Sequence, residues 1–267
     1  MIKGNITKER MEAWRFVSPE STGLHLVISP ENADCEAIWI YRLNLKKGEE
    51  YTLETGDKEM NGLCIRGSAH IIADAFEEEC QRWDSFYLMG NMALHLEARE
   101  DCVFYVGAAV DEGYGKPFFR KYDASLPFGD IHQIHGQGVG QREVFMTLNP
   151  EVEASRLICG ITTGGNGAWT SWPPHEHEWD LEEVYCYFDM DAPHFGLHLS
   201  YTRPGDIESM VAHPVTSGVM VLAPRGYHPT VAAPGTKNTY FWVLAAHRHE
   251  SRRYDLAVLD PTRQDQN

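Results

Sequence analysis

A chain of 267 residues, 43% of them hydrophobic and 23% charged, is long enough to bury one large core or two medium ones. Its formal charge of −16 repels phosphate backbones, which argues against nucleic-acid binding, and no apolar run is long enough for a membrane helix. The opening residues, MIKGNITKERMEAW, lack the apolar core of a signal peptide, so a cytoplasmic location is expected. They are also the best helical candidate in a chain that otherwise reads as strand.

Short runs rich in Ile, Val, Tyr, Phe and Trp follow one another, separated by Gly, Pro, Asn and Asp. A first group spans roughly residues 24–110 and includes AIWIYRLNL, GLCIRGSAHIIA and DCVFYVGAAV. The stretch GYGKPFFRKYDASLPFGDIHQIHGQGVG has little alternation and reads as a connection between domains. A second group, roughly residues 141–248, includes SRLICGIT, EVYCYF, GLHLSYT, GVMVLAP and TYFWVLAA. The pattern predicts an all-β sandwich or barrel protein with an internal duplication, divided into residues 1–125 and 126–267. Cys35, Cys64, Cys80, Cys102, Cys159 and Cys186 form no C-x-x-C pair and are expected as reduced, buried thiols.

Chemistry concentrates in the second half. WPPHEHEWDLEEVYCYF sets His175 and His177 two residues apart, a spacing that puts both imidazoles on one side of an extended chain. Glu182 and Glu183 open the apolar run that follows. GVMVLAPRGYHPTV ends a buried strand in a Pro-Arg-Gly turn that presents His228, with Gly218, Pro224 and Gly226 at fixed offsets. Three imidazoles and one carboxylate suit a divalent ion such as zinc, manganese, iron or nickel. Strand parity groups Glu183 with Tyr185 and Tyr187, opposite Glu182, Val184 and Cys186, and a polar face of this kind fits a lumen.

These segments resemble the two motifs of the cupin superfamily, in which three histidines and a glutamate line a small antiparallel barrel. The second motif departs from the usual pattern: one residue, Tyr227, separates Gly226 from His228, and the late Asn is missing. The generic cupin spacing favours Glu182 as ligand. SWPPHEHEWDLEEVYCYF, FGLHLSYT and VLAPRGYHPTVAAPG look like the 5-deoxy-glucuronate isomerase family of inositol catabolism. EVYCYFDM also looks like the related 5-keto-4-deoxyuronate isomerases of pectin breakdown. The likeness is densest over residues 141–245; LKKGEEYTLETGDKE is its clearest trace in the first half. It implies two tandem cupin-like antiparallel β-barrels (a bicupin), with zinc or manganese in the C-terminal one and none in the N-terminal one, and it selects Glu183 through the EVY match.

The resemblance implies aldose–ketose isomerisation of a small sugar acid in a homo-oligomeric enzyme. A metal serves this step as a Lewis acid across a carbonyl and a neighbouring hydroxyl. Proton transfer needs a positioned base, whereas a hydride shift needs none. Tyr185, Tyr187 and Tyr227 are the candidate catalytic side chains. Arg225, beside His228, and Arg142, in a stretch that bears an arginine in the relatives, are candidates for gripping the substrate carboxylate. His132 and His135 lie in the connector, and His247 and His249 are expected at the surface. An oxygen-activating oxidoreductase and a non-catalytic sugar-acid binding protein are the competing functions for such a site.

Overall fold

The computed structural model describes residues 5–177 and 179–263, and its regular structure is almost entirely strand. Two kinds of strand occur. Val211–Val215 alternates buried and exposed residues, as a strand does when one face meets water. Leu181–Tyr187 and Val219–Ala223 are buried on both faces, which is why their sequences are nearly unbroken apolar runs.

Two large antiparallel sheets carry the architecture. In one, the order is Arg15–Val17, Val219–Ala223, Leu181–Tyr187, Lys237–Ala246, Leu157–Asn166, Arg142–Leu148 and His132–His135. In the other, it is Phe118–Arg120, Ser85–Leu88, Lys58–Arg66, Cys102–Val110, Trp39–Leu45 and Gly23–Ile28. Each large sheet faces a four-stranded sheet from its own half of the chain. These smaller sheets run Trp169–Thr170, Thr230–Ala232, Gly196–Ser200, Val211–Val215 and Glu50–Glu54, Ala93–Ala98, Ala69–Ala73, Phe76–Cys80. Taken from the second strand onward, the large sheets visit their strands in the same sequence order, and so do the small ones. The two halves therefore repeat one topology, although their sequences show little identity.

The large sheets pack back to back. Their shared core joins Ile40, Leu63 and Tyr105 of the first half to Leu157, Val184 and Val243 of the second. The approach is close enough that a Cβ added to Gly107 would lie 2.6 Å from Val243 Cγ1. A second core fills the space between the sheets of the first half, and a third does so in the second half, around Tyr185, Tyr187 and Trp242. Strand parity sorts side chains between these cores: in Leu181–Tyr187, Val184 and Cys186 enter the shared core, and Leu181, Tyr185 and Tyr187 enter the third.

Several expectations change in detail. Closed barrels were expected. Among the described residues each half is instead a pair of facing sheets whose hydrogen-bond ladders stay separate, although turns as short as residues 46–49 and 55–57 carry the chain from one layer to the other. The opening segment is helical only over Lys8–Glu12, capped by Thr7, after which Arg15–Val17 joins the sheet of the second half beside Val219–Val221. The connector is not featureless. Its Phe118–Arg120 becomes an edge strand of the first half, and His132–His135 becomes one of the second. All six cysteines are buried free thiols, as the sequence led one to expect. No helix of the described residues is long and apolar enough to cross a membrane.

Candidate metal centre

Three chain segments meet at one end of the second half. His175 and Glu176 form a short strand paired with Val258–Leu259. Glu183 enters from the central strand Leu181–Tyr187. His228 follows a turn in which Gly226 adopts φ 81°, a left-handed conformation that favours glycine. A Cβ at Gly226 would also lie 2.6 Å from the Tyr201 carbonyl oxygen, so the turn packs flush against its neighbour.

Ligand atoms of His175, His177, Glu183 and His228 all lie within 4.8 Å of one another. His177 Nε2 is 3.1 Å and His228 Nε2 3.0 Å from Glu183 Oε2. His175 donates from Nδ1 to the Pro173 carbonyl at 3.2 Å, and His228 does so to the Gly226 carbonyl at 2.8 Å. These backbone contacts fix the tautomers and leave each Nε2 a lone pair, the arrangement that metal-ligating histidines adopt. His228 Nε2, despite its distance to Glu183, has no hydrogen bond of acceptable geometry, and buried His177 Nδ1 has no partner.

Electrostatics agree with a ligand set. Burial, reinforced by the neighbouring His228 and His177 rings, pushes the His175 pKa down to about 3, so its imidazole is neutral. Burial alone opposes the charge on Glu183, but the adjacent His177 and His228 outweigh it and hold this carboxyl far below the usual carboxylate range. A neutral His175, two further imidazoles and one ionised carboxylate, withdrawn from water and incompletely hydrogen-bonded, fit a borderline divalent cation. Glu182 points the other way. Fully buried on the opposite face of its strand, it accepts hydrogen bonds from the amides of Glu36 and Ala37 at 2.8 Å each. Parity thus assigns Glu183, and not Glu182, to the cluster.

A cavity of about 200 Å³ opens beside the cluster, with His175, His177 and Glu183 on its wall. Tyr185 lines it and donates from its hydroxyl to Ser171 Oγ at 3.2 Å. Burial, with Glu183 nearby, raises the Tyr185 pKa well above normal and keeps the phenol protonated. Arg142 also lines the cavity, oriented by Nη1 bonds to the carbonyls of Trp172 at 2.9 Å and Gly140 at 3.3 Å.

The other candidates lie elsewhere. Tyr187 is sealed in the inner core, its hydroxyl 2.9 Å from both His198 Nδ1 and Thr230 Oγ1. Tyr227 alternates with His228 in extended chain and so turns away, stacking on Tyr201 with ring centroids 5.1 Å apart. Arg225 lies over the ring of Trp179 and does not line the cavity.

The sequence reading gave no role in the site to several cavity residues, among them His135, Trp172, Tyr240 and Tyr254. Tyr240 had a signal, since it alternates with Trp242 and Leu244 along one strand face. His135 was hidden in the connector, and Tyr254 reaches the cavity from a C-terminal segment without any pattern. His247 and His249 are not free surface groups. His247 Nε2 lies 3.5 Å from buried Glu182, and His249 stacks on Tyr114 with centroids 3.7 Å apart. Both sit where the two halves meet, which H-x-H spacing could not reveal.

Fold and site together define an all-β, cupin-like protein with a cluster of three histidines and one glutamate that could hold a metal ion. Comparison with known proteins narrows this. The 5-deoxy-glucuronate isomerase of Geobacillus kaustophilus (strain HTA426) is 29% identical over 248 residues, covering 85% of this chain and 86% of that protein. The 4-deoxy-L-threo-5-hexosulose-uronate ketol-isomerase of Caldicellulosiruptor bescii is 28% identical, covering 74% of this chain and 70% of that one. The structure of an IolB-like protein from Salmonella typhimurium LT2 superposes with a TM-score of 0.79 at 24% identity, covering 94% of this chain and 98% of that chain. Bacillus subtilis oxalate decarboxylase, described with Mn(II) centres, shares the fold at a TM-score of 0.64 and 12% identity, covering 96% of this chain and 80% of that one. Residues 15–262 match the KduI/IolB family, and the chain belongs to it. It is accordingly an enzyme, an isomerase of the intramolecular oxidoreductase class.

Proposed function

We propose that this enzyme is a metal-dependent aldose–ketose isomerase that converts 5-deoxy-D-glucuronate to 5-dehydro-2-deoxy-D-gluconate in myo-inositol catabolism. The observation that carries the reading is the convergence of His175, His177, Glu183 and His228 at a cavity whose wall also bears Arg142. The names of the relatives supply the substrate class: several are 5-deoxy-glucuronate isomerases. Zinc or manganese held by the four side chains would supply Lewis acidity to a carbonyl and its neighbouring hydroxyl.

The chain's own groups have separable roles. Arg142, fixed by the Trp172 and Gly140 carbonyls, binds the substrate carboxylate. Tyr185, kept protonated, donates a hydrogen bond to a substrate oxygen. His135 has its pKa lowered by burial and by Arg142, and its Nε2 lies 2.7 Å from Gln133 Oε1. It therefore offers a neutral imidazole that can hold a proton drawn from the substrate. Trp172, Trp242 and Leu259 exclude water from the cavity. Tyr187 and Tyr227 act from outside it, Tyr187 through His198 and Thr230, and Tyr227 through the turn that carries His228.

The same reading takes residues 1–125 and 126–267 as tandem cupin-like domains of a bicupin, the first lending strand Arg15–Val17 to the sheet of the second, in a cytoplasmic homo-oligomer. It is tested by following 5-deoxy-glucuronate by NMR with protein loaded with zinc or manganese, and again after chelation. Turnover that disappears with the chelator supports it. The Caldicellulosiruptor bescii relative favours one alternative, ketol-isomerisation of 4-deoxy-L-threo-5-hexosulose uronate. Turnover of that compound alone would replace the substrate assignment, and turnover of neither would remove the isomerase reading for these sugar acids.

A further inference from the structure

The metal cluster draws its histidines from two separate segments, and one buried residue near the C-terminus links them: the Asp260 backbone amide bonds to the first segment, and its carboxylate holds Tyr201, which pairs with the second. Asp260 is fully buried. Its Oδ1 accepts from the Thr262 amide at 2.8 Å and the Thr262 hydroxyl at 2.7 Å. Its Oδ2 accepts from the Tyr201 hydroxyl at 2.7 Å and the Gly205 amide at 3.1 Å. Four donors on one carboxylate make a rigid node.

From that node one arm runs to His175. The Asp260 amide donates to the Pro174 carbonyl at 2.8 Å, and the preceding residues Val258–Leu259 pair with Glu176 and His175. The other arm runs to His228. Tyr201 exchanges backbone hydrogen bonds with Tyr227 at 3.1 and 2.8 Å and stacks on its ring. Tyr227 is covalently next to His228, and the Gly226 turn has no room for a Cβ against Tyr201. Each histidine is thus tied to Asp260 through its immediate neighbour.

We infer that Asp260 is a positioning residue that sets the spacing between His175 and His228 and so the affinity of the cluster for a divalent metal. The inference rests on the metal reading of the four-residue cluster and extends it to a residue that touches neither metal nor substrate. Partners that orient ligands from outside the coordination shell typically change metal affinity by about 10–100-fold when removed.

The experiment uses full-length protein, with zinc affinity measured by competition with a chromophoric chelator. The thermal midpoint is compared with and without zinc, and the visible spectrum of the Co(II)-substituted protein is recorded. Asp260→Ala is expected to weaken zinc binding about 10–100-fold, to shrink the gap between the zinc-loaded and zinc-free midpoints, and to alter the Co(II) spectrum. A purely structural role would lower both midpoints in parallel and leave the affinity within about twofold of wild type, which overturns the inference. If Asp260→Ala does not fold, Tyr201→Phe, which removes only one hydroxyl from the node, decides. It is expected to weaken zinc about threefold or more, and unchanged affinity and spectrum overturn the proposal. Wild-type protein that binds neither zinc nor cobalt sinks the metal reading itself, a failure distinct from tight binding retained by the variants.

Discussion

Glu59 and Glu182 occupy matching places in the two halves, and each sends its carboxylate into the other half. Glu59 pairs with Ala109 in its sheet, and Glu182 pairs with Ala245 in the other. Glu59 accepts from the amides of Ser155 at 2.8 Å and Leu157 at 2.7 Å, with the Arg156 amide between them, and from the Tyr87 hydroxyl at 2.6 Å. Glu182 accepts from Glu36 and Ala37, the residues just before the corresponding strand of the first half. The next residue along each strand enters its own inner core: Glu183 of the metal cluster in one half, Met60 in the other. A thioether therefore stands where the second half has the carboxylate of its histidine–glutamate cluster.

This reciprocal clamp predicts a large stability effect far from the cavity. Glu59→Ala strips the acceptor from the buried amides of Ser155 and Leu157, the part-buried amide of Arg156 and a buried hydroxyl. It is expected to lower the free energy of unfolding by about 3 kcal/mol, read from urea denaturation. A loss below about 1 kcal/mol would mean that water or neighbouring groups satisfy those donors instead.

The two adjacent glutamates are expected to separate function from scaffold. Glu183→Gln should lose metal from the purified protein, with affinity down at least about 10-fold, while retaining its fold. Glu182→Gln should keep full metal content and lose thermal stability. Metal analysis of both variants by atomic emission checks this, and the reverse pattern would reassign the ligand.

Arg142 should control substrate capture. Arg142→Ala is expected to raise KM for the sugar acid by about 10–100-fold, the worth of a charge-assisted bidentate contact. Arg142→Lys should recover little, because a point charge cannot reproduce the planar fork. Arg225→Ala, whose guanidinium covers Trp179, should leave KM near wild type. Steady-state kinetics on the three variants decide which arginine holds the acid.

His213 supplies a pH dependence outside the metal cluster. Burial, with Arg15 adding to it, pushes its pKa from 6.5 down to about 4. A group depressed in the folded state contributes stability that is intact above its unfolded value. That contribution is lost as pH falls through the folded one, here between about 6.5 and about 4. Wild type should therefore lose stability relative to His213→Gln over that window, by an amount on the order of 2–3 kcal/mol. Denaturation curves of the pair at pH 7.5 and pH 4 test the sign: a wild type that gains on the variant in acid would contradict it.

Much of this protein was legible in the chain itself. Strand identity followed from apolar runs and turn residues, because a pleated chain needs little more to declare itself. The cluster followed from His175, His177 and His228 because two-residue spacing and a glycine turn are local constraints. Glu183 followed from parity, since a strand offers only two faces. Other features depended on residues far apart in sequence. Nothing in MEAWRFV announces that Arg15–Val17 will add an edge to the sheet of the second half. Tyr187 and Tyr185 share a face, yet only tertiary packing decided that Tyr185 meets the cavity while His198 and Thr230 close over Tyr187. Asp260 acquires its place through contacts with Pro174 and Tyr201, and Tyr254 through packing beside Trp242. Local rules fix which way a side chain leaves the backbone, and the long-range closure of sheets and loops fixes what it meets there.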